Sequence, residues 1–385
     1  MGGNKLKVLI LSCSTGQGHN TAAEAVREAL SARGASCSVF DHITLKSERA
    51  AEKVAGTYVR SAVLTPHAFG ATYHLGGMLS NSRGRSPVYW ANKRYAPALA
   101  RYIADGKYDA VVAMHLYPAE TLTYMRRNGM LNVPFYAVIT DYACSPFWEE
   151  TRPDLYFTPS EAVSRLFEER DVPAGRLAAT GIPVRKATRE TAGKLAAREA
   201  LGIENSARLI VVMGGSMGGG KMTAVVRELL DRVYSDTIVA ALCGSNESLA
   251  MRLSGRSFGD GRFRVVGYTD QALLWMEACD VLLTKPGGLT STEAAVMGVP
   301  MVLTAPIPGC EPLNAAYFQS LGIARRAFQP DEAADQALAL LDNEIAQHAM
   351  RNRQRQAIPR FAADDIAKRI LNAGEAYGYG GRARS

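Results

Sequence analysis

No stretch of this 385-residue chain approaches the ~18 consecutive apolar residues that a membrane-spanning helix needs. The opening apolar run, Val8–Leu11, is also too short for the core of a secretory signal. Neither bilayer crossing nor export is therefore expected. The six cysteines (Cys13, Cys37, Cys144, Cys243, Cys279 and Cys310) lack any paired spacing. That excludes a disulfide framework or a cysteine zinc site and fits reduced cytosolic thiols. No Asp-x-Asp element suggests a metal-bridged donor, so no metal site is expected. No nucleic-acid module is visible either. Acidic residues are missing altogether between Glu52 and Asp105.

That acid-free span carries Lys53, Arg60, Arg83, Arg85, Lys93, Arg94 and Arg101, a surplus equal to the net +7 of the whole chain. Tyr58, Phe69, Tyr73, Tyr89, Trp90, Tyr95 and Tyr102 lie among them. A basic, aromatic patch seeks an anionic surface, although a solvated helix face is the plainer reading.

At 385 residues, with 47% hydrophobic and 21% charged content, the chain suits a globular enzyme too long for one ordinary core, and two domains are expected. Its pattern repeats once. Lys7–Leu11 reads as a buried strand, Ser12–Asn20 as a glycine-containing loop, Thr21–Leu30 as a helix and Cys37–Phe40 as a second strand. Strands at Ala110–Met114, Phe135–Ile139 and Asp154–Thr158 follow. A charged helix over 186–202 leads to a second series, with strands Leu209–Met213, Thr237–Leu242, Phe263–Val266, Val281–Leu283 and Met301–Leu303. Helices are expected at Asp331–Arg355 and Phe361–Ala373, with a loose tail from Tyr377. Two α/β units facing each other would place a ligand cleft between the carboxyl ends of their strands.

Three loops carry chemistry. The first, Gly16-Gln17-Gly18-His19-Asn20-Thr21, follows a strand and precedes a helix, with Asp41 some twenty residues on. This approaches the dinucleotide fingerprint, but Thr21 displaces the third glycine. His19 is either a loop-capping residue or a general base, since neutral imidazole titrates near working pH. The second loop, Gly214-Gly215-Ser216-Met217-Gly218-Gly219-Gly220-Lys221, nearly spells a nucleotide P-loop. Met222 stands where Ser or Thr must hold magnesium, so an ATPase is rejected. Five glycines in seven residues still suit amides wrapped around phosphates. The third, Thr284-Lys285-Pro286-Gly287-Gly288-Leu289-Thr290-Ser291-Thr292-Glu293, is a glycine turn opening a helix capped by Thr290 or Ser291, which makes an anion site. Glu293, placed in the first helical turn, is either ordinary helix chemistry or an acceptor for ligand hydroxyls. Downstream, Ala305–Asn314 fixes a loop with prolines and offers Glu311 and Asn314 near a helix start.

Taken together, Thr-Lys-Pro-Gly-Gly-Leu-Thr-Ser-Thr-Glu followed by Pro-Ile-Pro-Gly-Cys-Glu-Pro-Leu-Asn resembles the monogalactosyldiacylglycerol synthase and processive diacylglycerol glucosyltransferase family. This belongs to glycosyltransferase family 28, and the resemblance spans residues 7–370. It implies the GT-B fold class, with two Rossmann-like α/β domains facing across a cleft. The N-terminal acceptor and membrane-binding domain would be 1–185 and the UDP-sugar domain 186–360. Residues 361–385 would form a C-terminal helix packing back on the first domain, plus a tail.

The resemblance also implies residue roles. Glu293 matches the ribose ligand. Gly287 and Gly288, with the loop Gly214–Gly220 that contains Gly214, Gly215, Ser216, Met217 and Gly218, match the diphosphate cradle, and Lys285, Leu289 and Thr290 beside it are counted with the donor-binding residues. Tyr268 matches the position beside uracil, and Glu311 and Asn314 the sugar-reading loop. His19 matches the proposed catalytic base, and Gly18, His115 and Asp141 lie on the acceptor side. Two departures stand out: Ser14-Thr15 where plant members carry Asp, and Cys310 where Gln is usual.

The implied reaction is an inverting, metal-independent hexosyl transfer from a UDP-sugar, used as co-substrate without a cofactor, to diacylglycerol. Arg83, Arg85, Trp90, Lys93 and Arg94 would rest on the anionic inner face of the cell membrane, making the protein cytoplasmic and peripheral. The alternatives are another lipid or secondary-metabolite acceptor, a non-catalytic UDP-sugar-binding protein, and a nicotinamide-dependent oxidoreductase using Gly16, Gly18 and Asp41.

Overall fold

A computed structural model describes residues 5–13, 17–45, 85–216, 218, 221–255 and 261–376. The chain divides into two compact units, Met1–Lys186 with Phe361–Ser385, and Ala187–Arg360.

Unit 1 is built on a parallel sheet of β1 (Lys7–Ser12), β2 (Ser36–Asp41), β3 (Ala110–Ala113), β4 (Phe135–Val138), β5 (Leu155–Thr158) and β6 (Leu177–Ala179), in the order β2-β1-β3-β4-β5-β6. Val-Leu-Ile-Leu, Ala-Val-Val-Ala and Phe-Tyr-Ala-Val are buried throughout, as both-face-covered parallel strands require. The order reverses between β1 and β3, the kind of switch point at which open parallel sheets bind ligands. Helix α1 (Gln17–Ser31) begins four residues earlier than the apolar spacing suggests. Gly18 and His19 are therefore in its first turn, not in a loop. Next come α2 (Pro87–Asn92), capped by Ser86, α3 (Ala96–Asp105) and α4 (Leu116–Arg127). The C-terminal helix Ala362–Ala376 belongs to this unit. It packs on α1, and Arg33, two residues beyond α1, pairs through Nη2 with Asp364 at 2.7 Å.

Unit 2 has β7 (Arg208–Met213), β8 (Thr237–Leu242), β9 (Phe263–Val266), β10 (Val281–Thr284), β11 (Met301–Leu303) and β12 (Arg325–Arg326), in the order β12-β11-β10-β7-β8-β9. Its reversal lies between β7 and β10. Met213 pairs in register with Thr284, and Thr284 with Leu303. Three strands thus end in one row, and their following loops emerge side by side. Near the opposite ends of β7 and β10, the buried Arg198 donates to Asp280 at 2.8 Å and to Ala207 O at 2.8 Å.

Several expected elements are divided or shifted. The charged helix over 186–202 is two, Lys186–Arg189 and Lys194–Ala200. The long helix over 331–355 is also two, Pro330–Leu341 and Glu344–Ala357. There Asn343 caps the second, its Oδ1 accepting from Ala346 N at 2.8 Å, because asparagine favours a cap over a helix interior. Strands β6 and β12, three and two residues long, carry too little apolar pattern to be seen in sequence.

Candidate functional site

The first-unit cluster gathers at the ends of β1, β3 and β4. His19 is held in the first turn of α1, which Asn20 ties to Ser12 at the end of β1. Its Nδ1 lies 3.1 Å from Met114 O and 3.1 Å from Thr140 Oγ1. A carbonyl only accepts, so Nδ1 carries the proton and donates, leaving Nε2 as the basic nitrogen. Burial lowers the His19 pKa below its ordinary 6.5; the Asp141 charge and the Met114 hydrogen bond oppose that shift.

The His115 ring meets His19 edge-on, with centroids 4.7 Å apart. His115 caps α4, its Nδ1 accepting from Tyr117 N at 3.1 Å, so its proton is on Nε2. Burial, and then the neighbouring His19 and His42, push its pKa well below 6.5. His42, wholly buried, is pushed down to about 4 by burial, against the raising effects of Asp41 and a Ser12 backbone bond. His19, His115 and Asp141, far apart in sequence, are thereby brought together, with Gly18 beside them. Ser14 and Thr15 lie outside the described residues. The orienting group on the His19 Nδ1 side is a backbone carbonyl, and the nearby charge is Asp141.

The second-unit site gathers around the end of β7 and β10. The glycine loop after β7 is clasped by the loop after β8. Ser245 N donates to Ser216 O at 2.8 Å, Asn246 Nδ2 to Gly218 O at 3.3 Å, and Gly218 N to Gly215 O at 3.0 Å. Gly218 has φ +56°, and a Cβ there would stand 2.2 Å from Cys243 O; only glycine fits. Met217 lies outside the described residues.

Helix α5 (Gly288–Met297) starts at Gly288 with Gly287 as its N-cap. Thr290 and Ser291 are therefore inside the helix and do not cap it. Glu293 is in the second turn, 5% exposed. The tight turn, in which Gly287 N donates to Lys285 O at 2.8 Å, lets the helix begin three to four residues sooner than side-chain capping by Thr290 or Ser291 suggests. Gly287, Gly288, Leu289 and Thr290 form the helix start, whose first amides have no intrahelical acceptor.

A hollow between β7, β10 and β11 is lined by Gly214, Lys221, Lys285, Thr304 and Ala305. Lys285 Nζ pairs with Glu311 Oε1. Glu311 Oε2 accepts from Ile307 N at 2.7 Å. Asn314 is fully buried and its Nδ2 donates to Pro286 O at 3.0 Å, tying the turn. Tyr268, after the edge strand β9, is 77% exposed and offers a free aromatic face. Cys310 occupies the N-cap of helix α6 (Glu311–Ser320) without a side-chain cap bond.

Sequence reasoning assigns no role to Met114 and Thr140, the residues just before His115 and Asp141, nor to Asn246 and Thr304. Each directly follows a strand end or sits in the loop beyond it, so strand order would have pointed to them. In the basic segment, Arg83 lies outside the described residues. Trp90 is half exposed, with Lys93 Nζ 4.7 Å above its ring; Lys93 and Arg94 are exposed. Arg85 instead leans inward, its guanidinium 5.3 Å over Tyr89 and Nη1 on Glu150 O at 3.3 Å. No described helix is long and apolar enough to cross a membrane.

Residues 19–184 match the monogalactosyldiacylglycerol (MGDG) synthase family, and residues 209–370 match the glycosyltransferase family 28 C-terminal domain. The two matches follow one another along the chain, an MGDG synthase region and then a family 28 C-terminal region. With the curated relatives below, these matches mark the chain as a glycosyltransferase and set aside the nicotinamide alternative. Asp41 accordingly serves a local turn, its Oδ1 accepting from Ile43 N at 3.0 Å.

A processive diacylglycerol β-glucosyltransferase of Bacillus subtilis (strain 168) is 26% identical over 381 residues, covering 96% of each chain. One from Staphylococcus epidermidis is 26% identical over 257 residues, 66% of each. Among solved structures, Acinetobacter baumannii MurG shares the GT-B fold with a TM-score of 0.62 at 16% identity, over 96% of this chain and 99% of that one. A UDP-GlcNAc 2-epimerase from Neisseria meningitidis, bound to UDP-GlcNAc, gives 0.64 at 12% identity, over 95% and 100%. A fold shared by a transferase and an epimerase does not by itself choose the reaction.

Proposed function

We propose that this glycosyltransferase transfers a hexose from a UDP-sugar to a membrane lipid, diacylglycerol first among acceptors, with inversion at the anomeric carbon. The curated relatives named as diacylglycerol glucosyltransferases support the acceptor class. The observation that carries the chemistry is the His19 Nδ1 contact to the Met114 carbonyl, which leaves Nε2 to act as base.

Nε2 takes the proton from the acceptor hydroxyl as its oxygen attacks the anomeric carbon. The bond from that carbon to the diphosphate oxygen breaks, and its electron pair leaves with UDP. The growing negative charge is met by the helix start at Gly287–Gly288, by the glycine loop and by Lys285, fixed groups that need no reorganisation. No step calls for a metal. Glu293 accepts from the ribose hydroxyls, and Tyr268 stacks on the uracil.

Trp90, Lys93 and Arg94 form the surface that rests on an anionic cytoplasmic leaflet, which makes the protein peripheral. Each Lys or Arg contributes about 1 kcal/mol there, and a half-exposed tryptophan suits the headgroup boundary.

The test is mass spectrometry of diacylglycerol-containing vesicles incubated with the protein and a panel of UDP-sugars. A glycosyl-diacylglycerol of β configuration from an α-linked donor is the expected product. Sugar added only to a different lipid would change the acceptor, and no transfer from any UDP-sugar would overturn the reading.

A further inference from the structure

We propose that Glu311 is a built-in counter-anion for Lys285: it holds the ammonium at the start of α5 and surrenders it to the donor diphosphate, which frees the carboxylate for sugar hydroxyls. The proposal rests on the UDP-sugar reading of unit 2 and adds a mechanism of regulation to that site.

Four observations converge. Lys285 and Glu311 are paired and largely buried, with side-chain exposures of 20% and 13%. The lysine stem is wedged against the glycine loop: a Cβ on Gly215, at φ +75°, would lie 2.7 Å from Lys285 Cε. The ammonium itself sits at the helix start, where a Cβ on Gly287 would be 3.6 Å from Lys285 Nζ and 3.9 Å from Glu311 Oε1. The two partners are also held unequally. Glu311 is anchored a second time, by the Ile307 N–H at 2.7 Å. Lys285 has no hydrogen-bond partner other than Glu311 among the described residues.

The physical consequence is a competition between anions. The first amides of α5 and the Lys285 ammonium form one electropositive notch. A carboxylate already occupies its edge. It neutralises the lysine and repels a second anion arriving at the same place. A diphosphate carries more charge than the carboxylate and can also use the helix amides, so it displaces Glu311 from the ammonium. Glu311 stays anchored through Ile307 and turns its freed oxygen to the sugar. Empty, the site keeps its lysine compensated; loaded, it gains a sugar acceptor at the moment the diphosphate is seated. The buried hydroxyl of Thr304, which has no hydrogen-bond partner among the described residues, lines the same hollow and is a further donor for the incoming anion.

Calorimetry of UDP and of a UDP-hexose binding to the full chain at low salt tests this. Glu311→Gln keeps the shape and removes the charge, and UDP should bind at least ~10-fold tighter than to wild type. Lys285→Met should weaken UDP by ~10-fold or more, and the double variant should match Lys285→Met, because without the ammonium there is nothing to compete for. For the UDP-hexose the gain in Glu311→Gln should be smaller, since the carboxylate acceptor is lost. Glu311→Ala carries the same expectation for UDP if the glutamine variant does not fold. If wild type binds UDP and removing the Glu311 charge leaves affinity equal or weaker, the counter-anion is refuted while the UDP-sugar site stands. If wild type binds no UDP, the UDP-sugar reading itself falls, and this proposal with it.

Discussion

The Nδ1 atom of His19 lies 3.1 Å from the carbonyl oxygen of Met114, a residue 95 positions away in sequence. The contact joins the first turn of α1 to the end of β3 and decides which ring nitrogen is basic. A carboxylate in that position would raise the imidazole pKa strongly. A carbonyl orients the ring with a smaller shift, and the Asp141 charge nearby stabilises the imidazolium once it forms.

His19→Ala should reduce turnover by ~100-fold or more while UDP affinity stays near that of wild type, because general-base catalysis contributes ~10²–10⁴. Steady-state rates together with UDP calorimetry check both halves. Undiminished turnover would remove His19 from the mechanism.

The pH profile follows from the direction of the His19 shift. Burial lowers its pKa, so the base is free at pH values below 6.5, and activity should rise through an inflection on the acid side of that value. Asp141 raises the His19 pKa. In Asp141→Asn the inflection should move further toward acid, and the plateau rate should fall as the imidazolium loses its counter-charge. A profile of kcat against pH for the two proteins decides this; an inflection that moves toward alkali would contradict it.

His42 links acidity to stability. Its pKa is near 6.5 when unfolded and about 4 in the buried site, so the unfolded chain binds more protons between those values. Stability is then full above pH 6.5 and is lost as pH falls toward 4, by about 3 kcal/mol for this residue. Urea unfolding of unit 1 at pH 7 and pH 4.5 should show the loss, and His42→Leu should flatten it.

The membrane patch predicts a salt-sensitive surface. Changing Lys93 and Arg94 to Gln removes about 2 kcal/mol, or about 30-fold in partition onto anionic vesicles at low salt. Trp90→Ala should weaken binding at all salt concentrations, since its share is apolar. Sedimentation with phosphatidylglycerol vesicles measures both. Partition equal to wild type would reassign this face.

Gly218 should tolerate no side chain. Its φ of +56° and the approach of Cys243 O to 2.2 Å from a Cβ mean that Gly218→Ala must shift the clasp between the β7 and β8 loops. A destabilisation of about 1–3 kcal/mol is expected, together with weaker UDP binding. Thermal unfolding with and without UDP reports both effects.

Much of the architecture is legible in the residues themselves. Continuous apolar runs such as Val8–Leu11, Leu209–Met213 and Val281–Leu283, short and bounded by glycine loops or turns, suit strands covered on both faces. The Lys285–Glu293 and Pro306–Asn314 segments carry the family resemblance because their glycines and prolines fix backbone shapes that few sequences share. Boundaries are less legible. Nothing local distinguishes Ser291 as a cap from Ser291 as a helical residue, and the tight turn at Gly287 chose the latter. The break at Asn343 is not legible locally because the apolar spacing continues on both sides of it.

By itself the sequence determined two successive parallel α/β units, their glycine loops, the acid-free basic segment and the residue types available for sugar transfer. All of these follow from periodicity, backbone constraint and charge, which act over a few residues. Only tertiary structure decided that His19 is oriented by Met114 and Thr140, that His115 and Asp141 stand beside it, and that Lys285 is already paired with Glu311. Those contacts depend on strand order and register, which bring the ends of β1, β3 and β4, and of β7, β10 and β11, into common rows. No local rule encodes which strands become neighbours, because that pairing is selected by burial of the whole sheet.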